Sequence, residues 1–225
     1  MIPDKAKRIT LLDGYFIASL VSISLILVAN ISFHSLAFVY LAIVAVLALL
    51  AYATTIYDED GSLRGFWVMG LLSLLPYPFV DYLFEARLKL VTYLTDDPRV
   101  IATPPYVFLY WLFGILLFGY CYHRVLVLTG REWGAGLATG LFAAISSTFV
   151  ENLFNAMGFY HNTGSYLLIG YIPLFIPLGY LVTFSLMPLY LRYRYLPGLL
   201  LYAFAGVSWW IFYQLTSWVA STSGG

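Results

Sequence analysis

Residues Ser147–Leu178 read STFVENLFNAMGFYHNTGSYLLIGYIPLFIPL. A single carboxylate, Glu151, sits well inside an apolar segment. Two Asn, a Tyr and a His follow it, then a short polar break and the Pro-punctuated run IPLFIPLGY. An ionisable group at that depth is expensive in lipid and so needs a reason. The rest of the chain reads as a membrane-embedded cage around that reason.

Outside this stretch the composition points the same way. The 225 residues are 62% hydrophobic and only 10% charged, against about 25% charged in a soluble domain. Long apolar runs recur throughout, so residues 1–225 are read as one transmembrane helical domain, a polytopic all-α bundle. The formal net charge of zero gives no electrostatic case for nucleic acid. The lone Cys121 excludes an intramolecular disulfide and a cysteine-based metal cluster. Lys5, Lys7 and Arg8 precede a full-length apolar segment with no small-residue cleavage site, so the first helix is expected to be retained. The 20 Tyr, 17 Phe and 6 Trp suit interfacial belts and core. A sharper reading is an aromatic-lined cavity inside the bundle.

A span needs about 20 apolar residues. Seven segments meet that requirement: Leu11 to Ile31, Ser35 to Tyr57, Gly65 to Val91, Pro105 to Leu128, Trp133 to Tyr160, Leu167 to Leu191 and Pro197 to Val219. Pro105 and Pro197 sit at helix starts, where a missing N–H costs little. Gly61, Gly130 and Gly164 are expected in turns. No internal repeat supports an inverted-repeat transporter. With the N-terminus inside, that side collects Lys5, Lys7, Arg8, Arg64, Arg124, Arg131, Arg192 and Arg194. The other side has only Arg87, Lys89 and Arg99. The bias predicts N-inside, C-outside, in the plasma membrane of a prokaryote.

This topology puts Asp81 and Glu151 at similar depth, roughly 24–27 Å from the inner helix ends. With Glu85, three carboxylates are expected to share one outward-facing pocket. Tyr77, Asp81, Glu85 and Lys89 follow i, i+4, i+8, i+12 and form one predicted stripe, with a Glu85–Lys89 ion pair. Pro76 and Pro78 predict a kink beside it. Ser147, Glu151 and Asn155 form a second stripe, broadened by Thr148 and Asn152. Gly136, Gly140, Ala144 and Thr148 follow a small-xxx-small pattern that lets another helix approach closely. For a carboxyl in an apolar site, the neutral acid is the cheaper form, and a neutral acid can donate a proton.

Several chemistries are set aside. The chain has no Asp-rich diphosphate–Mg motif, no Gly-rich phosphate loop and no Gly-x-Ser-x-Gly. The last helix has no Lys for a retinal Schiff base. His34 and His161 lie in predicted outer turns, without an H-x-x-x-H or H-E-x-x-H spacing. No metal and no cofactor are assigned.

Glu151, Gly158, Tyr160, Tyr166, Gly170, Pro173, Pro177 and Leu178 resemble the carotenoid-biosynthesis integral membrane family that includes the bisanhydrobacterioruberin hydratase. That family carries a Glu in a helix, a Gly/Tyr-rich break and a V-P-x-x-I-P-L helix start. Here the last element is Ile172-Pro173-Leu174-Phe175-Ile176-Pro177-Leu178. The family's Phe-Pro-Phe-Gly run is replaced by Tyr160-His161-Asn162-Thr163-Gly164. The likeness covers about 40 residues, and in outline the chain is also similar to small membrane terpene cyclases. The resemblance implies acid chemistry on an isoprenoid C=C bond, hydration or cyclisation, with a lipophilic isoprenoid substrate drawn from membrane lipid. Glu151 is then the expected acid and Asp81 its catalytic partner. Asn152 and Asn155 are expected to orient Glu151. Tyr77, Tyr82, Tyr160 and Tyr166 are expected to shield a cation or relay protons, with Glu85 and His161 also at the substrate. The alternatives are a small-molecule carrier or receptor-like binding bundle using the same carboxylates, and a metal-dependent lipid hydrolase using His34 and His161.

Overall fold

The computed structural model describes residues 10–58, 61–163, 167–192 and 197–223. Its helices are α1 (Leu11–Asn30), α2 (Leu36–Tyr57), α3 (Ser62–Ser73), α4 (Tyr77–Tyr82, continued by a π-turn at Leu83–Arg87), α5 (Pro105–Thr129), α6 (Glu132–Ala156), α7 (Phe175–Ser185), α8 (Met187–Arg192) and α9 (Pro197–Ser223). By length and composition α1, α2, α5, α6 and the Phe175–Arg192 unit each suffice to cross a membrane, and the bent pair Leu63–Ser73 and Tyr77–Arg87 makes a sixth. These long apolar helices fit an integral membrane protein. The final helix is 27 residues long.

Local chemistry sets the helix ends. Thr10 and Asp13 form a reciprocal capping box at the start of α1, with Asp13 Oδ2 accepting from the Thr10 backbone N–H at 2.6 Å. Asp13 also accepts from the Tyr120 hydroxyl and pairs with Arg124 at 2.8 Å, so this cap ties α1 to the far end of α5. Asp58 closes α2 and accepts the Leu63 and Arg64 N–H groups at 3.1 Å, capping α3. Gly61 and Gly130 take left-handed conformations at their helix ends (φ 70° and 65°).

Three expected spans are reshaped. The third bends by 43° between Ser73 and Tyr77, beside Pro76 and Pro78, which remove N–H donors from the ladder. Its second half then widens into the π-turn, with the Leu88 N–H bonded to the Leu83 carbonyl. The fifth stops at Ala156, and left-handed Gly158 turns it into strand β2 (Tyr160–Asn162). The sixth begins only at Phe175, because Leu168–Ile169 (β3) and Ile172–Pro173 (β4) form a hairpin around Gly170 (φ 65°).

At this end of the bundle β1 (Val91–Tyr93) pairs antiparallel with β2, Tyr93 opposite Tyr160. The pairing joins the segment after α4 to the end of α6. Tyr40 of α2 fastens the same cap: its hydroxyl donates to Asp97 at 2.8 Å and accepts the Tyr106 N–H at 3.1 Å.

Half of the apolar window of α5 is buried, against 28% for α1, which makes α5 the central mast. Around it α3 packs on α5 and α9, α6 on α5 and α7, and α7 on α9, while α1 lies mainly against α2. The expected close approach along Gly136 and Gly140 is made by α7. A Cβ at Gly136 would stand 2.5 Å from the Ser185 carbonyl oxygen, and one at Gly140 would press into Ser185 Oγ and the Leu181 carbonyl. Gly140→Val is therefore expected to destabilise the bundle by about 1–3 kcal/mol, the usual cost of overpacking. Gly14→Ala, with nothing within 4 Å of the added carbon, serves as the neutral control. Unfolding of both variants in mixed micelles, followed by circular dichroism, checks this.

Candidate active site in the bundle core

Inside the bundle, below the β1–β2 cap, lies a cavity of about 210 Å³. Asp81 from α4 and Glu151 from α6 both line it, as the depth argument predicts. Tyr77 and Tyr160 line it too. The two carboxylates are close enough to interact electrostatically.

The two acids differ in their surroundings. Asp81 is buried and fully engaged. It accepts from the Tyr93 hydroxyl at 2.9 Å and from the Thr103 hydroxyl at 2.6 Å. Burial first, and then the adjacent Asp81 carboxylate, hold the Tyr93 phenol well above the ordinary tyrosine range, so it stays an O–H donor. Glu151 is half-buried and turned to the cavity. Among the described residues no hydrogen bond or ion pair reaches its carboxyl. Two further polar groups on the wall lack a partner, the hydroxyls of Tyr106 and Tyr110, and Asn162 Nδ2 is a third. Tyr106 and Tyr180 lie within electrostatic reach of Glu151.

The remaining expected site residues are placed otherwise. Glu85 leaves the cavity: it pairs with Arg99 at 2.7 Å, not with Lys89. The reason is the π-turn, which adds a residue to the turn and rotates Glu85 off the Asp81 stripe. Lys89 lies beyond the helix in a left-handed conformation (φ 53°). Arg99 also stands over the Tyr93 ring, 5.9 Å from its centroid. Tyr82 is exposed and outside the cavity. Asn152 and Asn155 do not touch the Glu151 carboxyl. Asn155 donates to the Glu151 backbone carbonyl at 3.1 Å, and Asn152 donates to Thr148 and accepts from the Tyr171 N–H at 2.6 Å, holding the β3–β4 hairpin. His161 is exposed on β2 opposite Thr92. His34 is bound through Nδ1 to the Met157 carbonyl at 2.7 Å. Among the described residues no group of three or more His, Cys, Asp and Glu converges. Tyr166 lies outside the described residues.

Sequence reasoning expected an aromatic-lined cavity and placed Tyr77 and Tyr160 at it, but did not name the rest of the wall. Trp111 of α5, Tyr180 of α7, and Tyr202 and Trp209 of α9 meet Tyr77 in one aromatic surface. Tyr77 and Tyr202 lie 4.2 Å apart, Trp111 and Tyr202 4.9 Å, and Tyr180 and Trp209 5.5 Å between ring centroids. A signal existed in the helical spacing: Tyr106 and Tyr110 are i, i+4 on α5, and Tyr202 and Trp209 are i, i+7 on α9. Both indole N–H groups are occupied, Trp111 by Ser73 Oγ at 2.8 Å and Trp209 by the Ile176 carbonyl at 3.2 Å.

No family model, curated protein or solved structure matches the chain.

Because Tyr93 and Thr103 both serve Asp81, Tyr93→Phe and Thr103→Val should each cost about 1–3 kcal/mol by leaving a buried acceptor short of a donor. In an Asp81→Asn background the same substitutions should cost measurably less. Double-mutant cycles on unfolding in micelles read that coupling, and purely additive costs would mean that Asp81 is held by something else.

Proposed function

We propose that this protein is a membrane-embedded enzyme that modifies an isoprenoid by protonating a C=C bond. The observation that carries the reading is the Glu151 carboxyl, which has no partner among the described residues and faces an aromatic cavity shared with a fully engaged Asp81. An acid left free of internal partners keeps its proton available to a ligand. Proton transfer from Glu151 to one alkene carbon forms a C–H bond from the π electrons and leaves a carbocation on the neighbouring carbon. The faces of Tyr77, Trp111 and Tyr202 stabilise that charge. Attack by water followed by proton loss gives hydration, and attack by a second double bond gives cyclisation. Asp81, held across the cavity by Tyr93 and Thr103, balances the positive charge. Glu151 recovers its proton at the final deprotonation. The likeness of Glu151, Gly158, Tyr160 and the Ile172–Leu178 run to the carotenoid-biosynthesis membrane family supports the same chemistry.

In this reading α9 is a seventh span, the N-terminus lies inside and the cavity opens toward the outer face. A cysteine at exposed position Asp96, in a Cys121→Ser background, should react with a membrane-impermeant maleimide in intact cells; labelling only after lysis would reverse the orientation.

The direct test is mass spectrometry of lipid extracts from cells fed isoprenoid precursors and producing wild type or Glu151→Gln. The expected product, one water heavier than a precursor or isomeric with it, should fall about 100-fold or more in the variant, the scale of general acid catalysis. Identical extracts from two well-folded proteins would favour the carrier or receptor-like bundle.

A further inference from the structure

The cavity also states which ligand charge it accepts. Among its described lining residues there is no Lys, Arg or His, while two carboxylates are present. Arg99 is paired with Glu85 and stands over the Tyr93 ring. The hydrogen-bond donors on the described lining are all neutral, and several are already used. Both indole N–H groups are satisfied by the protein, and the Tyr93 and Thr103 hydroxyls are given to Asp81. Without a partner among the described residues are the Glu151 carboxyl, the buried hydroxyls of Tyr106 (1% exposed) and Tyr110, and Asn162 Nδ2, and the lining hydroxyls of Ser24, Ser146 and Tyr180 add neutral groups but no cation. A phosphate, diphosphate or carboxylate brought here would lose its water beside two acids with no countercharge. A compact organic cation meets the opposite situation: aromatic faces on one side and an unpaired carboxyl on the other.

We infer that the cavity is a binding site for lipophilic ammonium ions, a prenyl-chain amine or its quaternary salt, and that it rejects the matching anions. The five-ring wall formed by Tyr77, Trp111, Tyr180, Tyr202 and Trp209 receives the cationic head. The Glu151 carboxyl balances its charge, and the chain lies along the apolar lining. The inference deepens the proposed function and rests on it only in taking this cavity as the ligand site. A substrate bound here carries no phosphate on the part that enters the cavity. A stable ammonium ion then occupies the place of the transient carbocation and blocks the site.

The experiment uses the full chain in nanodiscs of zwitterionic lipid. Three geranyl-length probes are compared by tryptophan fluorescence, with Trp111 and Trp209 as reporters in the wall: a trimethylammonium salt, its neutral tert-butyl isostere and the phosphate monoester. Saturable ammonium binding is expected at least about tenfold tighter than the isostere, a gap that cation–π attraction in a desolvated site supplies, with no saturable binding of the phosphate. Glu151→Gln and Tyr202→Leu should each shrink the gap, and Tyr202→Phe, which keeps the aromatic face, should retain most of it. Equal affinity for ammonium and isostere, or preference for the phosphate, overturns the inference whether or not the variants fold, because wild type alone decides it. Ammonium preference without any isoprenoid product leaves this site standing and removes the catalytic reading. Product formation without ammonium preference does the reverse.

Discussion

A carboxylate placed where water is absent has to be satisfied by the protein or left for a ligand, and the described lining of this cavity contains one of each kind. Asp81 is satisfied. Its two donors come from β1 and from the segment just before α5, so one buried acceptor fixes the connection between α4 and α5. Through the pairing of β1 with β2 the same anchor reaches the end of α6. The cap over the cavity and the position of Tyr93 both follow from keeping that carboxylate supplied with hydroxyls. Glu151 is the other kind. Its helix is held rigidly against α7 by glycines, so the unpartnered carboxyl is presented from a fixed backbone.

Rigid support of one wall and hydrogen-bonded support of the other give the cavity a defined shape without any soluble domain. The aromatic wall extends this. Five rings from four helices pack edge to face or tilted, the arrangements that aromatic quadrupoles favour. Each indole N–H is tied to a backbone carbonyl or a serine, so the rings are fixed in rotation and turn carbon faces and edges inward. The surface is apolar in shape but electrostatically negative, which is the property the proposed chemistry requires.

The sequence made the costly residues visible and left their partners hidden. Asp81 and Glu151 stand out because a carboxylate inside an apolar run has no cheap explanation, and helix rise alone brings them to one depth. Gly136, Gly140, Pro76 and Pro78 are legible for a similar reason, since each departs from what a plain span would use. Tyr93 and Thr103 were not legible. They sit in a connection whose fold depends on β1 meeting β2, a pairing between segments about 70 residues apart. Glu85 was misplaced because i, i+4 reasoning assumes α-helical spacing, and a π-turn is a local loosening that composition does not announce. The hairpin around Gly170 was absorbed into a predicted span because its Leu, Ile and Pro residues are as apolar as the helix they precede. The aromatic wall was hidden by abundance, for in a chain this rich in Tyr and Phe no single ring is conspicuous.

The way α1 and α2 are fastened has a mechanical meaning of its own. The two pack chiefly on each other, and they are pinned to the rest of the molecule at their extremities. At one end Asp13 holds Tyr120 and Arg124; at the other Tyr40 holds Asp97 and the Tyr106 backbone, and His34 holds the Met157 carbonyl. Between those pins Leu20, Ile23 and Ser24 form part of the cavity wall, facing Ser146 and Phe149 of α6. The α1–α2 pair is thus the more loosely tied side of the chamber, set against the closely packed α6–α7 pair.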